Sequence, residues 1–165
     1  VGNFAYVDVG GGSTEISLLH DGVLAESHSF NIGTLRMLGG AVSEQELMDM
    51  RQMLEEYARE FPATKIIGSG GNINRLFRLA RLKGPQRELP VERLQELYDT
   101  LQALTVVQRM EQFKLKEDRA DVIVPAAEIF LTVAEALGSK SIIVPNISLA
   151  DSITDGIWRE VQMKG

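Results

Sequence analysis

Cysteine is absent from the 165 residues. That excludes disulfide frameworks, thiolate metal sites and cysteine nucleophiles, and it is compatible with the cytoplasmic location expected of the chain. Basic charge is also in short supply. Lys and Arg number 17 against 23 Asp and Glu, a formal net charge of −6, whereas domains that grip a nucleic-acid backbone carry a strong basic excess. No apolar run approaches the roughly 18–20 residues of a membrane helix. Neither nucleic acid nor membrane is therefore an expected partner. Histidine occurs only at His20 and His28; neither stands at a metal-ligand spacing, and both are assigned to the surface or to strand packing. The chain opens Val1-Gly2-Asn3-Phe4 with no Met, no basic segment and no apolar signal core. It is expected to be a cut piece of a longer protein, in preference to the mature product of a cleavage.

What is present suits one domain with a real core: 44% apolar and 24% charged residues over this length. Phe4–Val9, Thr14–Leu19 and Val23–Phe30 read as strands. The Gly10-Gly11-Gly12-Ser13 turn joins the first two, and Asp21-Gly22, a hairpin signal, joins the second and third. An antiparallel three-strand meander follows. Ser43 and Glu46 form a capping-box pattern before a helix whose apolar face is Leu47, Met50, Leu54, Tyr57 and Phe61, and which Pro62 stops. Met48 and Met53 read as packing on the same helix. Lys65–Gly68 is a short strand, and Asn72–Lys83 a helix ended by Gly84-Pro85. Pro90 suits the first turn of a helix that buries Leu94, Leu97, Tyr98, Leu101 and Leu104. Helices are expected over Thr105–Lys114 and Asp118–Leu137, the latter kinked or restarted by Pro125. Ser141–Val144 is a buried strand, and Leu149–Met163 a closing helix eased by Gly156, with Trp158 as a packing anchor. This order implies a mixed five-stranded sheet with helices on both faces. Residues 85–116 are a candidate helical insertion.

The segment Asp8-Val9-Gly10-Gly11-Gly12-Ser13-Thr14-Glu15 is the most informative. No Lys-Ser or Lys-Thr follows the glycines, so it is not a P-loop; a strand follows rather than a helix, so it is not a dinucleotide fingerprint. Glycines let backbone approach a ligand closely. Their N–H groups, with the Ser13 and Thr14 hydroxyls, suit phosphate oxygens. If Gly10–Ser13 is the turn, Asp8 faces Glu15, with Cβ atoms about 4.5–5.5 Å apart. Two such carboxylates repel unless a magnesium ion, a water or a phosphate–metal complex sits between them. A tight hairpin with solvated acids at its mouth is the plainer alternative.

A second glycine turn, Gly68-Ser69-Gly70-Gly71-Asn72, opens a helix whose N–H groups suit phosphate. Close helix–sheet packing explains the same glycines equally well. Arg75, Arg78 and Arg81 follow at every third position, with Lys83 and Arg87 beyond and no acid between. They make either a path for a polyanion or a solvated helix face. Asp151 and Asp155 read as caps or solvated acids.

The first glycine segment resembles the phosphate-binding hairpin of the actin-like ATPase superfamily. Its Ser13-Thr14-Glu15 most resembles the exopolyphosphatase/guanosine pentaphosphate phosphatase branch, the Ppx/GppA family. Phe30-Asn31-Ile32-Gly33-Thr34-Leu35-Arg36, Gly68–Ile73, Arg119–Ala126 and Ser148–Trp158 resemble further segments of that branch. The resemblance implies a ribonuclease-H-like lobe, the second of two that enclose a cleft. It implies magnesium-assisted hydrolysis of a phosphoanhydride, with polyphosphate or guanosine pentaphosphate or tetraphosphate as ligand. Asp8 and Gly10 then belong to the phosphate and metal site, with Asp8 the metal ligand, Ser13 to phosphate binding, and Glu15 to the carboxylates that hydrolysis requires. An essential glutamate is expected on the first lobe, ahead of the hairpin, where this chain has no acidic run. The missing lobe is thus an expected partner; a homodimer is left open. Two rivals stay open: an ATP-dependent kinase lobe, against which Ser13-Thr14-Glu15 argues, and a non-catalytic module that senses a phosphorylated nucleotide, against which the pairing of Asp8 with Glu15 argues.

Overall fold

In β1 (Asn3–Val9) every second side chain turns to the core: Ala5, Val7 and Val9 are buried while Asp8 is exposed. This is the two-residue period of a half-buried strand. β2 (Thr14–His20) returns antiparallel beside it, burying Ile16 and Leu18 on the same face. Asp21 and Gly22 both take positive φ, 50° and 81°, and turn the chain into β3 (Val23–Phe30). The structure, a computed structural model, describes residues 2–145. The closing helix expected over Leu149–Met163, with Ser148, Asp151, Asp155, Gly156 and Trp158, lies outside the described residues.

A short helix that the sequence did not announce, α1 (Thr34–Leu38), follows the meander. In α2 (Glu44–Glu60) the Ser43 hydroxyl accepts from the Glu46 N–H. Among the described residues Glu46 makes no return bond, so only half of the expected capping box exists. β4 (Lys65–Ser69) lies parallel to β1. α3 (Gly71–Ala80) stops short of Lys83, because Arg81 takes a left-handed cap at φ 51°. That reversal brings Leu82 back against the core.

Residues 88–90 correct the five-strand expectation. β5 (Glu88–Pro90) is a sixth, three-residue strand that buries Leu89. It ends directly at α4 (Val91–Gln102), so Pro90 caps that helix rather than sitting in its first turn. α5 (Val106–Phe113) starts with a full capping box between Thr105 and Gln108. α6 (Glu117–Leu137) runs through Pro125 without restarting. β6 (Ser141–Ile143) pairs parallel with β4 and antiparallel with β5. The sheet order is β3-β2-β1-β4-β6-β5.

α6 is the centre of the core. It touches each of α1 to α5, and buries Phe130, the largest fully buried side chain among the described residues, against β4 and β6 at Gly68 and Ile142. Residues 85–116 add Leu89, Leu94, Leu97, Leu101 and Leu115 to that same core. Among the described residues no helix is long and apolar enough to cross a membrane.

Candidate functional site

The β1–β2 turn is held from one side. Gly10 N–H donates to the Ser13 carbonyl at 2.9 Å. The Gly10 carbonyl accepts from Thr34 N–H at 2.9 Å, and the Gly11 carbonyl from Leu35 and Arg36 N–H at 3.0 and 3.3 Å. The Gly12 carbonyl accepts from Arg36 Nε at 2.6 Å. All three carbonyls therefore turn toward the start of α1. A trans peptide points its C=O and N–H in opposite directions, and no peptide here is cis. The N–H groups of Gly11, Gly12 and Ser13 consequently face away from α1. Among the described residues none of the three has an acceptor. Convergent, unpartnered backbone N–H groups are what an anion-binding nest consists of. Gly33 makes the bracing helix approachable, since a Cβ there would lie 2.3 Å from the Gly11 carbonyl oxygen. Gly12 has open space around it, leaving the outer side of the turn accessible.

Asp8 and Glu15 are direct cross-strand partners, as counting from the turn implies. Glu15 Oε1 accepts from two hydroxyls, Ser13 Oγ at 2.7 Å and Ser29 Oγ at 3.0 Å. Asp8 as a residue is exposed, yet its Oδ1 lies 3.0 Å from where a Cβ on Gly70 would stand. Partial dehydration first, and the Glu15 charge second, push the Asp8 carboxyl above its ordinary value. Tyr6, on the same face, has a buried hydroxyl with no partner among the described residues; burial pushes it up to about 12.

Ser29 is a site residue that the sequence did not single out. Counting back from the Asp21-Gly22 turn would place His28 opposite Glu15. A bulge at Leu18/Leu19 shifts the ladder by one, so His28 faces Ile16 and Ser29 faces Glu15. His28 lies 3.8 Å from Glu26, and His20 bonds to Asn3, in line with surface and strand packing.

The second glycine turn meets the first at Asp8. β1 and β4 are parallel neighbours with Asp8 opposite Ser69, so both turns leave the carboxyl ends of adjacent strands, where open α/β sheets place their ligands. Gly70, at φ 101°, comes close to Asp8. Asn72 Nδ2 donates to the Val9 carbonyl at 3.3 Å, and its Oδ1 accepts from Arg75 at 3.2 Å. The guanidinium of Arg75 rests over Gly71, where a Cβ would stand 3.0 Å from it. Dehydration first, then Arg119 and Arg78, lower the pKa of Arg75.

Three assigned phosphate contacts need correction. Thr14 is fully buried, and its hydroxyl donates to the Ile32 carbonyl at 2.6 Å; it ties the strand to the bracing segment rather than reaching an anion. Gly68 faces the core, with Ile73, Ile142 and Phe130 within 3.0–3.3 Å of an added Cβ. The Asn72 side chain is occupied in joining the two turns. Gly10, Gly11, Gly12, Ser13, Ser69, Gly70 and Gly71 do come together around Asp8 and Glu15.

The arginine row divides as well. Arg75 stays beside the second turn. Arg78 and Arg81 instead line a surface cavity of about 390 Å³ with Lys114, Lys116 and Arg119, where Leu79, Phe113 and Leu115 form the apolar wall. Arg87 is structural: Nε donates to the Val144 carbonyl at 2.7 Å, NH2 to Asn74 at 2.9 Å, and the guanidinium sits 4.5 Å over the Phe77 ring.

Among the described residues no group of three His, Asp or Glu side chains is arranged to hold a metal. The Asp8–Glu15 pair nonetheless fits magnesium, which binds through one or two carboxylates and takes its other ligands from water and phosphate.

The model of the Ppx/GppA phosphatase family matches residues 1–158. A guanosine-5′-triphosphate,3′-diphosphate pyrophosphatase of Aeromonas hydrophila is 22% identical over 168 residues, covering 94% of this chain and 34% of that protein. The Aquifex aeolicus PPX-GPPA enzyme superposes with a TM-score of 0.68 at 25% identity, over 87% of this chain and 53% of that one. An exopolyphosphatase from Cytophaga hutchinsonii superposes with a TM-score of 0.70 at 20% identity, over 94% and 58%, a likeness of fold. The chain thus spans about a third of the curated relative and little more than half of these solved structures.

Proposed function

The chain belongs to the Ppx/GppA phosphatase family, and we propose that it is the phosphate-holding lobe of a magnesium-dependent hydrolase that removes terminal phosphate from polyphosphate or guanosine pentaphosphate. The observation that carries this reading is the turn itself. Three carbonyls are drawn to α1, three N–H groups on the other side have no acceptor among the described residues, and two carboxylates stand at the mouth.

A phosphoanhydride already has a good leaving group, so catalysis needs alignment, charge neutralisation and an oriented water. The N–H groups of Gly11, Gly12 and Ser13 bind and align the phosphoryl oxygens. Asp8 and Glu15 would hold magnesium, which when bound offsets phosphate charge. The hydroxyls of Ser13 and Ser29 fix the Glu15 carboxylate, leaving Oε2 for a water or the cation. The cationic cavity lined by Arg78, Arg81 and Arg119 supports a long or multiply charged substrate, because local positive potential concentrates polyanions near a site.

The resemblance assigns the essential base to the first lobe. The isolated chain should therefore bind magnesium tripolyphosphate, seen by calorimetry, yet release phosphate from polyphosphate far below the roughly 10 s⁻¹ typical of enzymes. Turnover at an ordinary enzyme rate would refute the division of labour between lobes. Absence of any binding would refute the anion site.

A further inference from the structure

We propose that Arg36 is a positioning residue of the anion cradle. Its guanidinium clamps the Gly12 carbonyl and so turns the Ser13 N–H toward bound phosphoryl oxygens. The inference rests on the phosphate-holding reading above and assigns one residue within it.

The three carbonyls of the turn are not held alike. Those of Gly10 and Gly11 accept from backbone N–H groups of residues 34–36, which almost any side chain at those positions would supply. Among the described residues the Gly12 carbonyl is held by a side chain alone, Arg36 Nε at 2.6 Å. Neither Gly12 nor Ser13 belongs to a strand, so no ladder bond fixes the peptide between them. Without the clamp that unit is free to rotate, and its N–H with it.

The chemistry of Arg36 suits the task. Its backbone is fixed on both sides: its N–H donates to the Gly11 carbonyl and its carbonyl accepts from Ala41 N–H. Among the described residues no carboxylate forms an ion pair with it, so its charge is not neutralised by an acid. A donor carrying full charge makes a shorter and stronger bond than a neutral one. Such a bond also polarises the amide it touches, so the N–H of that same peptide becomes a better donor toward an anion. Arg36 thereby transmits positive charge to the cradle without having to touch the ligand.

The test is a titration of the 15N-labelled 165-residue chain with magnesium tripolyphosphate, followed at the amides of Gly11, Gly12 and Ser13. In the unaltered chain all three resonances should move. In R36A the affinity should fall about tenfold, as expected for loss of one charge-assisted bond, and the Ser13 amide should cease to respond while Gly11 still does. Guanidinium ion, added far below denaturing concentration, should restore the Ser13 response in R36A; a role confined to stability would not produce that rescue. R36Q keeps most of the stem and a neutral donor, and carries the same test should R36A fail to fold. If the variant that folds binds with an unchanged Ser13 response, the assignment of Arg36 is wrong although the cradle stands. If the unaltered chain shows no response at Gly11, Gly12 or Ser13, the cradle itself is wrong.

Discussion

Asp8 is where the cost of the site is concentrated. Its carboxyl is crowded by Gly70 and faces Glu15, and both effects favour its protonated form in the folded chain. The folded state therefore binds this proton more tightly than the unfolded state. Stability is fully present below the ordinary carboxylate pKa, falls as pH rises through the elevated folded value, and stays reduced above it. Asp8→Asn should accordingly melt higher than the unaltered chain at pH 7. That advantage should shrink as the solution is acidified from pH 7 toward about pH 4, the ordinary value for Asp, and be gone below it. Thermal melts across that range check it, and a gap that widens on acidification would contradict the account. The pairing of Asp8 with Glu15 was legible in the sequence, because a four-residue turn leaves one register for the strands it joins. Ser29 was not, because the bulge at Leu18/Leu19 shifts the ladder and leaves no mark in residue type. Thr14 was misread for a related reason: a hydroxyl suits a phosphate and a carbonyl equally, and only the position of Ile32 selects the carbonyl.

Two strand–glycine–turn elements make the site, and their glycines serve different ends. Gly70 lets backbone approach Asp8, whereas Gly68 lets α6 and α3 close on β4. Gly68→Ala would press a methyl group to 3.0 Å from Ile73, 3.1 Å from Ile142 and 3.3 Å from Phe130. The expected loss is about 1–3 kcal/mol, the range for overpacking a filled core, measurable by urea unfolding. Because Gly68 faces away from the cradle, affinity for magnesium tripolyphosphate should be preserved in the same variant. Loss of affinity without loss of stability would move Gly68 back into the ligand site. Of the two long helices, α2 was readable from the periodicity of its apolar face, and α6 was expected within a residue of its observed bounds. The short elements, α1 and β5, were not: five and three residues are too few to show a period, and each forms because a neighbour supplies its bonds.

Across the whole molecule α6 binds the parts together, and residues 85–116 bury five leucines in the same core as β1 and β2. Although the sequence allows that stretch to be a separate insertion, amide exchange at Leu94, Leu97 and Leu101 should proceed only through global unfolding, at one common free energy. Earlier exchange across 91–102 would mark it as a separable unit. Composition and hydrophobic period determined that the chain would fold as a mixed α/β lobe, and glycine spacing determined that two acids would meet beside an open turn. Those features depend on neighbours in sequence, and local chemistry specifies them. Which way the turn's peptides face, which serine holds Glu15, and which arginines reach the cavity were settled by contacts between residues some 14 to 40 positions apart. Orientation of that kind exists only after the sheet has closed and α1 has docked, since a free glycine turn can point its N–H groups in any direction.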